Sequence, residues 1–178
     1  MGNEGIGFIL SPEELRVLSL ILGLGEGLDA PAKAEWKRTL EDLADDGLVM
    51  TDGKRVVVDE AIARLVATVE RPAWFITAGE SKENGLFVGS HGYCTLRPAP
   101  EGRRLITPYT DARDALDAFL TSSFQEETEE RLVHMADGAH ARAFLCDSLR
   151  LRQMLLEKFT DGSEPAPREG DLYGNDHH

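Results

Sequence analysis

Residues 73–107 read AWFITAGESKENGLFVGSHGYCTLRPAPEGRRLIT, and the class of fold can be predicted from them. Short runs of apolar, aromatic and β-branched residues alternate here with breaks rich in Gly, Pro and charged residues, a pattern typical of strands joined by tight loops. Strands joined by such short loops run antiparallel, because a parallel connection needs a long crossover. The stretch therefore predicts an antiparallel sheet with strands at Ala73 to Ala78, Leu86 to Val88, Tyr93 to Leu96 and Arg104 to Thr107.

Helix signals stand on both sides of this stretch. Ser11, Pro12 and Glu14 form a helix start, with a capping residue, a proline at the first position and a glutamate three residues after the cap. A second helix is predicted to begin near residues 29–31, and a third to begin at Asp59 and end before Pro72. Further helices are predicted after Asp111 and over Ser148 to Phe159.

Two Asp-Gly pairs predict turns of β-hairpins. Asp52-Gly53 lies between two apolar runs, where a type I′ turn with positive φ at both central residues is expected. Asp137-Gly138 divides residues 131–145, whose alanines favour a helix while the Asp-Gly pair favours a hairpin. The hairpin is preferred, because Asp-Gly is costly inside a helix.

These elements predict one α+β domain over residues 1–160, an antiparallel sheet flanked by helices. The order helix, helix, hairpin, helix in residues 11–70 resembles a winged-helix-like unit. Residues 73–120 form the sheet and a helix, and residues 126–160 form a hairpin or helix followed by a helix. Residues 161–178 are rich in Gly, Pro and acidic residues, a composition typical of a disordered tail.

Composition limits the classes of partner and the compartment. The net charge of −13 repels nucleic-acid phosphates and anionic lipid. No apolar run has the length of a membrane span, and no secretion signal is recognised, so a cytoplasmic protein is expected. The two cysteines, Cys94 and Cys146, are expected to be buried thiols in a reducing compartment.

Three kinds of chemistry are suggested by residues that also have simpler explanations. His91 and Cys94 have a ligand-like spacing that His140 and Cys146 would complete as a zinc site, although no CxxC pair supports it. Either cysteine with His134 would make a nucleophilic dyad, without any local signature. The glycines of residues 23–27 lack the strand and the lysine of a phosphate loop. No catalytic residue, no metal ligand and no cofactor is therefore predicted.

DNA binding is one hypothesis for the winged-helix-like unit. The helix that would read DNA lies within residues 33–46, which carry five acidic against three basic residues. Affinity for DNA depends on neutralising phosphates, so this charge opposes it. No nucleic-acid partner is predicted, and a DNA-binding regulator remains an alternative.

The N-terminal two-thirds of the chain resembles the EspG-like helper proteins of actinobacterial type VII secretion. The likeness rests on Ser11 to Arg16 running into Leu22 to Gly25, on Leu40 to Leu43 followed by Asp46 to Leu48, and on a helix from Asp59 that Glu70 to Pro72 closes. The resemblance implies a cytoplasmic chaperone with a central antiparallel sheet that binds helical secretion substrates and needs no cofactor. It assigns no substrate-binding residue in this sequence.

The function predicted is a non-catalytic protein-binding module, a chaperone or adaptor for a secreted helical protein. Aromatic residues on the predicted strands would supply the contact surface, although core packing explains most of them equally well. An acidic immunity protein that covers the basic site of a toxin is a further alternative. The residues predicted to bind the partner are Trp74, Phe75, Phe87 and Tyr93.

Overall fold

A computed structural model describes residues 6–79, 84–90 and 92–160, and over these residues the protein is α+β, as predicted. The tail predicted for residues 161–178 lies outside the described residues. The helices are α1 (Pro12–Ile21), α2 (Lys33–Asp45), α3 (Glu60–Glu70), α4 (Ala112–Ser123) and α5 (Ser148–Thr160). The strands are β1 (Phe8–Leu10), β2 (Val49–Thr51), β3 (Val56–Val58), β4 (Trp74–Ala78), β5 (Asn84–Gly89), β6 (Gly92–Pro98), β7 (Arg104–Tyr109), β8 (Arg131–Asp137) and β9 (Ala141–Cys146).

Seven strands form one antiparallel sheet in the order β1-β7-β6-β5-β4-β8-β9. The four strands predicted from residues 73–107 are its centre, and the predicted antiparallel order is confirmed. The register places Phe75 of β4 opposite Phe87 of β5 and Ala136 of β8. One row of side chains on one face therefore crosses three strands.

The element order predicted for residues 11–70 is present, with β2 and β3 as a separate hairpin. The predicted caps form: the amide of Glu14 donates to Ser11 Oγ at 3.0 Å, and Asp59 accepts from the amides of Ala61 and Ile62. The winged-helix-like reading of this unit stays a prediction. The hairpin predicted at Asp52-Gly53 forms, but the predicted type of turn is wrong. The amide of Asp52 donates to the carbonyl of Arg55 at 3.3 Å, so the central residues are Gly53 and Lys54, and of these two Gly53 alone has a positive φ.

The carboxylate of Asp52 explains that difference. It accepts from the amides of Lys54 and Arg55 at 3.0 and 2.7 Å, which holds Asp52 at the position before the two central residues of the turn. The second hairpin is the one preferred over a helix for residues 131–145, and it forms β8 and β9. Asp137 accepts in the same way from the amides of Ala139 and His140.

The sheet has a core on each face. Helices α4 and α5 cover one face, where the core includes Trp74, Leu86, Phe119, Val133 and Leu151. The N-terminal unit covers part of the other face with a core that includes Leu10, Leu18, Leu43, Ile62 and Cys94. Alternation along the strands assigns the two clusters to opposite faces, because Leu86 and its neighbour Phe87 point to different sides.

In the described ranges no helix combines the length and the apolar character that crossing a bilayer requires.

Candidate partner-binding surface

One half of the second face is left open. Helix α3 packs on β5 and β6, and beyond β5 the side chains become progressively more exposed. Phe75 on β4 is half-buried, Ala136 on β8 is half-buried, and Ala143 on β9 is exposed. Leu145, also on β9, is 64 % exposed. We call this surface the open face; it consists of Phe75, Thr77, Leu132, His134, Ala136, Ala141, Ala143 and Leu145.

The inner border of the open face is aromatic. The rings of Phe75 and Phe87 stack with centroids 5.7 Å apart and planes inclined by 17°. Gly85 makes room for this arrangement, because a Cβ there would lie 2.7 Å from the Phe87 ring. The pair therefore joins the covered part of this face, where Phe87 contacts the core, to the uncovered part.

The centre of the open face carries two polar side chains. Thr77 lies opposite His134 in the register of β4 and β8. The Thr77 hydroxyl is buried and has no hydrogen-bond partner among the described residues. Because Thr77 is 5 % exposed, a partner would meet a mostly apolar surface on which the half-buried imidazole of His134 is the group that can fix orientation by hydrogen bonds.

The four residues predicted to bind a partner are divided between the two faces. Trp74 is 1 % exposed and lies in the core under α5, with its ring centroid 5.4 Å from that of Phe159. Tyr93 is half-buried on the same face and contacts Phe159 edge-on at 5.9 Å. Phe75 and Phe87 are half-buried on the other face. Partner binding by these residues stays a prediction, and the open face includes Phe75 alone of the four, with Phe87 at its border.

The outer limit of the sheet is β9, and a groove of about 320 Å³ follows it. Arg142 and Arg150 are its charged lining residues, and Met154 of α5 forms part of its apolar wall. No pattern in the sequence marks Arg142, Arg150 or Leu145 as a binding residue. We call this site the edge groove; its lining is Arg142, Ala143, Phe144, Leu145, Cys146, Arg150 and Met154.

The cysteines do not meet in space. Cys94 belongs to the core under the N-terminal unit and Cys146 to the core on the opposite face, so the two cannot share a metal ion or a disulfide. Both are buried free thiols, as expected from the sequence. Burial raises the pKa of Cys94 to about 12, and burial together with Asp147 raises the pKa of Cys146.

His134 forms no pair with either cysteine. His134 points to the open face, whereas Cys146 points to the other face, and three strand spacings of about 4.8 Å separate His134 from Cys94. His91 lies outside the described residues. Over the ranges that are described, no three His, Cys, Asp or Glu side chains are grouped so that they could hold a metal ion.

Neither a protein-family model nor a curated protein matches this sequence. The likeness to EspG-like helper proteins accordingly rests on the residues that carry it in the N-terminal two-thirds.

Proposed function

We propose that this chain is a non-catalytic protein-binding module that works in the cytoplasm as a chaperone or adaptor. The observation that carries the proposal is the open face, where three strands of a well-packed sheet present apolar side chains to solvent. Contiguous exposed apolar surface on a folded protein is typical of a site that a partner covers. The partner class is a protein, because the exposed apolar side chains lie across neighbouring strands on one face of a sheet.

The resemblance to secretion helper proteins supports a helical partner. An amphipathic helix would place its apolar stripe across β4, β8 and β9, between Phe75 on the inside and Leu145 on the outside. Side chains at the centre of such an interface, here Ala136, Ala143 and His134, are small or flat enough to admit a helix closely. The remaining acidic surface would steer a partner with a basic exterior.

Matched substitutions of two exposed leucines test this proposal. Leu145 on the open face and Leu149 on α5 are 64 % and 53 % exposed, so both tolerate a charged replacement. The candidate partners are the helical proteins encoded beside this gene, each mixed with the purified chain and measured by calorimetry. We expect Leu145→Glu to weaken binding on the order of tenfold or more, and Leu149→Glu to leave it unchanged.

Two results would contradict the proposal. If no neighbouring product binds, the chaperone function loses its support. If a partner binds and Leu145→Glu does not weaken it, the open face is not the binding surface.

The net charge of −13 also favours an acidic inhibitor of a basic toxin. Co-expression separates this second candidate from the first. An immunity protein rescues growth when an adjacent toxin gene is expressed, whereas a chaperone for a secreted protein raises the soluble amount of a partner that is not toxic.

A further inference from the structure

The edge groove follows the backbone of β9 rather than one of its faces. Five consecutive residues, 142–146, line it together with Arg150 and Met154 of α5. Consecutive side chains of a strand point to opposite faces of the sheet. A groove that contacts all five residues must therefore run along the outer edge of the strand.

The hydrogen-bond pattern shows which backbone groups of β9 face this groove. The amide of Asp137 donates to the carbonyl of His140 at 2.9 Å, so Asp137 and His140 are a hydrogen-bonded pair. In an antiparallel ladder every second pair is of this kind, so Arg142 is hydrogen-bonded to its partner on β8 and Ala141 is not. The amide of Gly79 donates to the carbonyl of Leu132 at 2.9 Å, which confirms that Leu132 bonds towards β4 and not towards β9. The residues of β9 whose N–H and C=O groups point outwards are thus Ala141, Ala143 and Leu145.

The two edges of the sheet differ in their length. The edge strand β1 has three residues, whereas β9 has six. Short edge strands offer too few backbone groups for a stable added strand, and longer ones are templates for pairing. Of the two, β9 is the edge that can accept another strand.

The charge of the groove selects the kind of strand. Arg142 lies over the ring of Phe144 with its guanidinium carbon 5.4 Å from the centroid, and it also donates to Met135 Sδ at 3.5 Å. Arg150 lies at the other end of the edge groove. The nearby carboxylate of Asp147 caps helix α5 and accepts a hydrogen bond from the amide of Arg150 at 2.8 Å. Within the described residues neither guanidinium forms an ion pair. Two such arginines in one groove are a local exception on a chain with 32 acidic and 19 basic residues.

We propose that the edge groove binds an extended, acidic segment of a partner protein, which adds to β9 as an eighth strand of the sheet. The outward backbone groups of Ala143 and Leu145 supply the main-chain hydrogen bonds. Carboxylates of the segment pair with Arg142 and Arg150 in charge-assisted hydrogen bonds. The inference rests on the proposed function only in that the occupant belongs to a protein partner.

A second copy of this chain is a poorer occupant on charge. Pairing two β9 strands would bring the arginines of both copies into one interface and would join two strongly acidic molecules. Like charges placed together at an interface oppose association. Residues 161–178, which contain five carboxylates, are the other alternative, and the experiment distinguishes both.

The test selects peptides from a random library displayed on phage against the full chain, and then measures the best synthetic peptide by fluorescence anisotropy. We expect selected peptides to combine Asp or Glu with alternating β-branched residues.

Ala143→Pro removes an N–H that points outwards, which an edge strand tolerates. The fold is therefore kept, while the added strand loses a main-chain hydrogen bond. Binding should weaken on the order of tenfold in Ala143→Pro. In the double variant Arg142→Glu with Arg150→Glu, the preference should change from acidic to basic peptides.

Several results would overturn the proposal. Selection of no peptide, selection of neutral or basic peptides by the wild-type chain, or equal binding by Ala143→Pro would each do so. A wild-type dimer that Ala143→Pro converts to a monomer in sedimentation would make a second copy the occupant. If acidic peptides bind only after the carboxylates of residues 161–178 are changed to amides, the chain's own segment occupies the edge. The Leu145→Glu test can still succeed in each of these cases, so failure of the strand proposal is distinguishable from failure of the binding function.

Discussion

The two halves of the sheet share one register but differ in how they are covered. Strands β5, β6 and β7 lie between the N-terminal unit and α4, so their central residues are buried on both faces, and the exposed residues lie at the strand ends. Strands β4, β8 and β9 have α5 or its neighbours on one face and leave the other face open. Leu96 on β6 is 4 % exposed, whereas Leu145 on β9 is 64 % exposed.

This difference separates residues that stabilise the fold from residues that are available to a partner. Burial of an apolar side chain on both sides of a sheet contributes stability in proportion to the area removed from water. An exposed leucine on the same sheet contributes little to stability and keeps its apolar area for binding. The comparison therefore predicts opposite mutational behaviour for the two kinds of position.

The largest expected effect comes from a pair of identical substitutions. Leu151 on α5 is fully buried against the covered face, and Leu145 lies on the open face. Leu151→Ala should lower the free energy of unfolding by about 3 kcal/mol, because it removes buried methyl groups and leaves a cavity. Leu145→Ala should change it by about 0.5 kcal/mol or less. Urea denaturation monitored by tryptophan fluorescence measures both values, and equal losses would show that the open face is covered after all.

The second effect compares the inner and outer amides of β9. Arg142 lies in a hydrogen-bonded pair with Met135, so Arg142→Pro removes a ladder hydrogen bond and should cost about 2 kcal/mol. Ala143→Pro should cost much less, because its N–H faces the groove. Arg142→Ala is the control that isolates the loss of the side chain. A larger loss of stability in Ala143→Pro than in Arg142→Pro would reverse the hydrogen-bond pattern assigned to the edge.

The third effect uses the cysteine under the N-terminal unit. Because burial raises the pKa of Cys94 to about 12, the folded state keeps its proton at a pH where the unfolded thiol, with a pKa near 9, has lost it. The contribution is fully present below pH 9 and is lost as the pH rises towards 12, by about 1.4 kcal/mol for each pH unit in that window. Stability of the wild type should fall more steeply between pH 9 and 11 than that of Cys94→Ala. Parallel profiles would place Cys94 in a solvated site.

The sequence predicted the covered half better than the open half. Periodic apolar residues and capping signals at Ser11, Asp59 and Asp111 depend on local chemistry, and those helices are present where they were expected. Which face of a strand stays uncovered depends on contacts between distant elements, and Phe75 and Trp74 look alike in sequence although they point to opposite faces. Arg142 was missed for the same reason, since only the strand order makes β9 an edge.

The exact type of a turn and the presence of a short strand were also not predictable from the sequence. An Asp-Gly pair marks a hairpin correctly at residues 52–53, yet the central residues of its turn are Gly53 and Lys54, because the Asp52 carboxylate accepts from the amides of Lys54 and Arg55. Strand β1 was not predicted at all. Three residues are too few to show a period, and its pairing partner, β7, lies about a hundred positions further along the chain.

The smallest expected effect lies in the N-terminal unit. Burial raises the pKa of Glu14, with Asp46 and Asp42 adding to the shift and hydrogen bonds from Ser11 opposing it. The stability that this shift contributes is present below the unfolded pKa and is lost as the pH rises through the folded pKa, so ionised Glu14 weakens the fold at pH 7. Glu14→Gln, which keeps the capping arrangement, should therefore raise the free energy of unfolding at pH 7 by a few tenths of a kcal/mol, a size limited by solvent screening.

The control is Glu13→Gln. Glu13 is an exposed neighbour in the same turn, so this variant should give no gain in stability. Thermal unfolding of both variants at pH 5 and pH 7 decides the matter, since a gain in Glu14→Gln that is equal at the two pH values would exclude ionisation of Glu14 as its cause.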